Sequence, residues 1–119
     1  MKPKKSSDDK TVRVFDLREN RPLKRIGVDS AVNRLSVSTN GMCALPHDDR
    51  HIRLLKYNPT NQSRLRRINR GQRAHQSSVV ATTWLTNPAY MMGDQKCYSL
   101  VSGGWDRKLC IWKVPVTIL

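Results

Sequence analysis

Apolar and polar residues alternate with the same phase in three stretches of this chain. They are Asp9-Lys-Thr-Val-Arg-Val-Phe15-Asp16-Leu17, Asp49-Arg-His-Ile-Arg-Leu-Leu55-Lys56-Tyr57 and Asp106-Arg-Lys-Leu-Cys-Ile-Trp112-Lys113-Val114, and they align without a gap. Each opens on an acidic residue, passes two polar positions, then alternates and ends in a large apolar residue plus a polar one. A period of two belongs to a β-strand, whose successive side chains point to opposite faces. The alternation therefore predicts one apolar strand face carrying Val12 and Val14, with counterparts Ile52 and Leu54, then Leu109 and Ile111. The first two copies lie 40 residues apart and the second and third 57. A repeat of this length predicts stacked units, none of which buries its apolar face alone.

The same reading along the chain predicts strands at about 11–16, 23–28, 31–37, 42–46, 51–57, 64–68, 79–84, 98–102 and 108–114. Turn residues separate them: Arg21-Pro22, Thr39-Asn40-Gly41, His47-Asp48-Asp49, Asn58-Pro59 and Gly103-Gly104. No helical period is sustained over ten residues, so the expected class is all-β. Residues 1–7 read as a disordered basic lead, 58–78 as a long polar loop and 115–119 as a tail. Pro88 and Gly93 predict a loop across 86–96.

The segment SGGWDRKLCIWKV (102–114) resembles the end of a WD-repeat unit, and the resemblance covers residues 8–114. No copy keeps the dipeptide that names the family: the positions read Phe15-Asp16, Leu55-Lys56 and Trp112-Lys113, while Trp105-Asp106 lies in the turn before the strand. The resemblance implies a partial β-propeller of about two and a quarter four-stranded blades: 8–28 as the end of one, 29–68 a complete blade, and 69–114 an incomplete last one. Since propellers have about four to eight blades, the chain resembles the C-terminal piece of a longer protein. The family pattern also implies turn acids at Asp9, Asp49 and Asp106, and a structural hydrogen-bond network of His75, Ser102, Asp106 and Trp112. In the second unit the pattern offers Asp29 in place of the histidine and Leu55 in place of the tryptophan, so Asp49 is expected to matter less than Asp106. The function implied is a non-enzymatic scaffold for protein–protein interaction, with intracellular sorting-adaptor proteins as partners.

Composition changes this picture in two respects. Three cysteines, Cys43, Cys97 and Cys110, are an odd number for a disulfide framework and point to a reducing compartment, cytoplasmic or nuclear. No run approaches the roughly 18 apolar residues that span a membrane, and Met1–Asp9 lacks the apolar centre of a signal peptide. The formal charge of +13 is spread evenly: residues 1–60 hold 13 basic and 7 acidic groups, residues 61–119 hold 9 and 2. One concentration stands out, Arg64, Arg66, Arg67, Arg70 and Arg73, with no acid among them. With Trp105 and Arg107 it forms the candidate partner surface, suited to an acidic segment. The alternative is a small basic RNA- or DNA-binding protein that uses the same arginines on phosphates.

Three further constellations are weaker. Ser102, His75 and Asp106 are the residue types of a catalytic triad, but a serine inside a strand lacks the exposed, strained turn of a nucleophile. Cys43-x3-His47-x3-His51 lacks the four ligands of a structural zinc site, so no metal or other cofactor is expected. Gly103-Gly104 stands in no phosphate-loop motif and reads as support for the turn before Asp106.

Overall fold

The computed structural model describes residues 4–6, 10–16, 21–28, 30–38, 41–56, 64–69, 72–85, 90–92, 95–116 and 118. They form eleven strands: β1 (Lys4–Ser6), β2 (Thr11–Asp16), β3 (Arg21–Gly27), β4 (Ser36–Val37), β5 (Met42–Pro46), β6 (Ile52–Lys56), β7 (Arg64–Arg67), β8 (Val79–Trp84), β9 (Tyr90–Met92), β10 (Gln95–Gly104) and β11 (Leu109–Pro115). Every ladder between them is antiparallel, and they make three sheets: β1-β2-β3, β4-β5-β6-β7, and β8-β10-β11 with β9 on the far end of β10. The class is all-β, consistent with part of a propeller that does not close on itself. No helix among the described residues is long and apolar enough to cross a membrane.

The second sheet is covered on both faces, which explains its sequence. Met42, Ala44, Ile52 and Leu54 pack on Val79, Trp84, Leu100 and Val114 of the third sheet. Cys43, Leu45 and Leu55 point the other way and meet Val12 of the first sheet. All five residues of β5 are buried, so this strand reads as a continuous apolar run rather than an alternation. Arg53, the polar interruption in β6, is buried as well and pairs with Asp49 at 2.8 Å.

The alternation in the three aligned segments takes on a direction in the fold. Val12 faces the second sheet, and Ile52 and Leu54 face the third. Leu109 and Ile111 occupy the same repeat positions, yet they are 79% and 65% exposed. Among the described residues no fourth sheet covers them.

Three expectations are corrected. Lys4–Ser6 is a strand on the edge of β2 rather than a disordered lead. The segment expected to be a loop contains β9, which pairs Tyr90–Met92 with Gln95–Cys97 as a hairpin. The strand expected over 31–37 is ordered as a strand only at Ser36–Val37. Before it, Val32 bridges to His47 in its own sheet and Arg34 bridges in parallel to Ala81 of the third. Arg34 N–H donates to Val80 O and Thr82 N–H to Arg34 O, both at 3.3 Å. The inner edges of the two sheets thus satisfy part of each other's backbone, a device that blunts exposed edges. At the chain's end β11 runs to Pro115, and Ile118 lies against the core.

Equivalent positions with unequal burial give a direct test. Leu54→Ala empties a fully buried site and is expected to destabilise the chain by about 2–5 kcal/mol. Ile111→Ala, at the matching position of the third unit, is expected to change stability by less than about 0.5 kcal/mol. Urea titration of both variants checks the contrast, and equal losses would contradict it.

Candidate functional site

The site grows from a turn that the chain builds twice in the same form. In the second sheet the N–H of Arg50 donates to His47 O, and in the third the N–H of Arg107 donates to Gly104 O, at 3.4 and 3.3 Å. The residue after the turn acid has a left-handed backbone in all three units: φ is 61° at Lys10, 74° at Arg50 and 63° at Arg107. Side chains other than glycine seldom adopt that region. The acid supports it locally, because the carboxylate accepts the N–H two residues on: His51 N–H to Asp49 at 3.1 Å and Lys108 N–H to Asp106 at 3.2 Å. Short Asp side chains make such backbone-mimicking turns, and this is the physical reason the repeat begins with an acid. Asp9 lies outside the described residues.

Around Asp106 the turn becomes a hub. His75 Nδ1 lies 3.0 Å from both carboxylate oxygens, and the N–H of Gln76 donates to Oδ2 at 2.9 Å. On the far side of the ring, His75 Nε2 is 2.8 Å from Ser102 Oγ, and Trp112 Nε1–H donates to that same oxygen at 2.9 Å. The indole is a donor only, so Ser102 accepts from it and turns its own hydrogen toward Nε2. A neutral His75 then carries its hydrogen on Nδ1 and donates it to Asp106. His75, Ser102, Asp106 and Trp112, which the sequence brought together by resemblance, are one continuous chain of hydrogen bonds.

That chain ties three elements together. Ala74 and His75 donate their N–H groups to Arg50 O at 2.9 and 3.2 Å. The 72–78 loop is thus held to the second sheet by backbone and to the third by Asp106 and Ser102. Gly104 has a role that sequence reasoning missed. A Cβ there would lie 2.8 Å from His75 Nδ1 and 3.0 Å from Asp106 Oδ1, so the residue must be glycine for the ring to pass. In the second sheet the aligned position is His47, which the sequence places in a turn and which is fully buried. Its ring reaches across to Ser30 O at 3.0 Å, while Ser30 Oγ accepts the N–H of Asp49 at 3.1 Å. The two units place an imidazole beside the turn from opposite sides. Asp29 lies outside the described residues.

Asp49 also proves better occupied than expected. Its carboxylate takes the guanidinium of Arg53, whose side chain is only 5% exposed. Burial disfavours the charge on Asp49, but the hydrogen bond from Arg53, the N–H of His51 and the nearby positive charges outweigh it and lower the pKa.

The residues of the catalytic reading have triad-like spacing but not triad access. Ser102 is completely buried, with both its acceptor and donor capacity used inside the sheet, so no substrate carbonyl reaches its oxygen. Among the described residues no three His, Cys, Asp or Glu side chains converge as metal ligands. Cys43 is fully buried in the core between the first two sheets.

The arginine cluster is divided. Arg64, Arg66 and Arg67 lie on β7, as the strand expected at 64–68 has it, rather than in the loop read over 58–78. They stand opposite Lys56, Leu54 and Arg53, so Arg64 and Arg66 share one face and Arg67 the other. Arg66 Nη1 donates to Ile118 O at 3.2 Å. Arg70 lies outside the described residues. Arg73 is at the turn end of the sheets, beside a cleft of about 390 Å³ that it lines with Arg50, His75, Gln76, Asp106 and Lys108. Trp105 and Arg107 sit on the adjoining turn, with Trp105 74% exposed. Arg73, Trp105 and Arg107 therefore belong to one end of the molecule, and the β7 arginines to its outer edge.

An all-β repeat with a turn acid, a loop imidazole, a strand hydroxyl and an indole joined in this order is a segment of WD-repeat type. The chain is 38% identical over 115 residues to WD repeat-containing protein 37 of Xenopus laevis, a match covering 95% of this chain and 21% of that protein. It is 34% identical to the human protein of the same name, over 95% of this chain and 22% of the relative. No family model matches the chain. The similarity and the fold together relate the chain to the WD-repeat family, and it spans about a fifth of the length of these curated relatives.

Two outcomes are expected. Ser102→Ala strands the Trp112 N–H and one nitrogen of His75 without changing the fold, and should destabilise by about 1–3 kcal/mol in denaturant titration. The second concerns acid. Burial works against the charged form of Asp106, but the N–H of Gln76, the ring of His75 and the N–H of Lys108 outweigh it, holding the pKa at about 2 against an ordinary 3.8. A depressed carboxylate contributes stability that is complete above the unfolded pKa and is lost as pH falls through the folded one. Stability should therefore decline between about pH 4 and pH 2. Asp106→Asn should flatten that part of the curve in denaturant titrations at stepped pH; an unchanged slope would contradict the assignment.

Proposed function

We propose that the chain is a non-enzymatic interaction platform, presenting protein partners with a rigid turn end rather than a reactive group. One observation carries this reading: the four residues capable of chemistry are spent on holding the 72–78 loop against two sheets. Exposed at that end are Trp105, Arg50, Arg73, Arg107 and Lys108, with Asp48 and Gln76 beside them. Loops and turn tips on a rigid β scaffold are where binding residues concentrate, and an exposed tryptophan among arginines has the composition of an interface anchor. The curated relatives are WD-repeat proteins, and proteins of that kind are interaction scaffolds. The resemblance makes sorting-adaptor proteins candidate partners.

The exposed pair Leu109 and Ile111 fits the same reading. Their repeat counterparts are covered by the next sheet, so this face suits a further unit of the same kind. Within such an assembly, the turn ends of successive sheets form one surface.

The test is recovery of proteins from lysate on the immobilised chain. Trp105→Ala with Arg107→Ser should lose a defined set of proteins while circular dichroism stays unchanged, and nuclease treatment should make no difference. Recovery abolished by nuclease would replace this reading with the nucleic-acid one, and recovery unaffected by the substitutions would remove the turn end as the surface.

A further inference from the structure

We propose that the cleft between the Arg50 turn and the Asp106 turn is a binding site for the carboxylate side chains of an acidic segment in a protein partner. The proposal deepens the platform reading and rests on it.

Charge and shape carry it together. The cleft, about 390 Å³, is flanked by Arg50 from the second sheet, Lys108 from the third and Arg73 from the loop between them, and all three are exposed. Among the described residues none of the three meets a carboxylate at ion-pair distance. Asp106 does line the cleft, but its oxygens already accept from His75, Gln76 and Lys108 N–H. It cannot neutralise three cations as well.

The rim repeats the sign. Lys10, Arg50 and Arg107 stand at the same position of three successive units, all exposed and all with a left-handed backbone. Glycine or asparagine would suit that backbone better, yet each unit has a cation there. The positive end is thus a property of the repeat, and the cleft is a concave part of it.

The occupant follows from the arrangement. Guanidinium groups hold a carboxylate through paired N–H donors, and cations on both walls of a cleft suit side chains that leave an extended segment alternately. A nucleic acid asks for a continuous basic track with several stacking aromatics. Here the cations are grouped around a concavity, and Trp105 is the one exposed aromatic on the two turns.

The experiment uses the whole chain and fluorescent octaglutamate, with octaglutamine and oligothymidylate as comparators. Octaglutamate should bind and octaglutamine should not. Arg73→Gln with Lys108→Gln should weaken binding about tenfold or more, as expected for lost charge-assisted hydrogen bonds. Arg64→Gln with Arg67→Gln, on the outer edge, should leave it within about twofold. Cys110 lines the same cleft and is half-buried, whereas Cys43 and Cys97 are buried. Octaglutamate should therefore slow alkylation of Cys110 by N-ethylmaleimide, read by peptide mass spectrometry. Equal weakening by the two double variants, or unprotected Cys110, would show diffuse charge attraction and overturn the site. Tighter binding of oligothymidylate with the same residue dependence would overturn the choice of partner. Absence of octaglutamate binding while nuclease-resistant protein recovery persists would remove the cleft and leave the platform standing.

Discussion

The carboxylate of Asp106 is the hub on which the turn end of the third sheet is built. It caps the turn it belongs to through Lys108 N–H, holds the 72–78 loop through Gln76 N–H, and fixes the ring of His75. The ring in turn reaches Ser102 and, through it, Trp112. Because the same loop donates two backbone N–H groups to Arg50 O, this charged group adds a polar tie at the turn end to two sheets that also meet through apolar side chains and through the hydrogen bonds of Arg34, Asn33 and Trp84. Apolar packing between sheets is strong but tolerant of sliding. A directional network with every member satisfied removes that tolerance, because a shifted sheet would leave buried polar groups unpaired.

The second sheet solves the same problem differently. Its turn acid takes a buried guanidinium, Arg53, in place of a loop imidazole, and its own imidazole, His47, comes from the turn itself. The exchange is steric at root. Where the third unit has Gly104, a loop histidine passes; where the second has His47, the space is filled and the loop supplies Ser30. One repeat position thus decides which side the imidazole enters from.

Much of this was legible in the sequence. The three aligned segments predicted three matching strands, their common acid predicted the turn, and family resemblance assembled His75, Ser102, Asp106 and Trp112. What was not legible depends on neighbours rather than on local pattern. Leu109 and Ile111 read the same as Ile52 and Leu54, and only the presence of a covering sheet separates buried from exposed. β1 and β9 are three residues each and carry too few alternations for a period to show. Their pairing with β2 and β10 defines them. The basic run 64–73 looked like one patch because a linear count ignores the pleat, which sends Arg64 and Arg66 to one face and Arg67 to the other. The sequence places His47 in a turn, and its burial there depends on Ser30 and the neighbouring sheets rather than on local pattern.

The location of charge follows from the location of rigidity. Exposed cations on separate flexible loops attract many partners weakly, since each must be immobilised on binding. At the turn end, Arg50 and Lys108 flank turns whose acids are already committed, and Arg73 precedes a loop anchored on both sides. The network that spends the reactive side chains is therefore also what fixes the positions of the unspent ones. A catalytic serine would have to be freed from Trp112 to act, and freeing it would loosen the surface that the cations depend on. Structure of this kind trades chemistry for placement, and the positive turn end is what that placement presents.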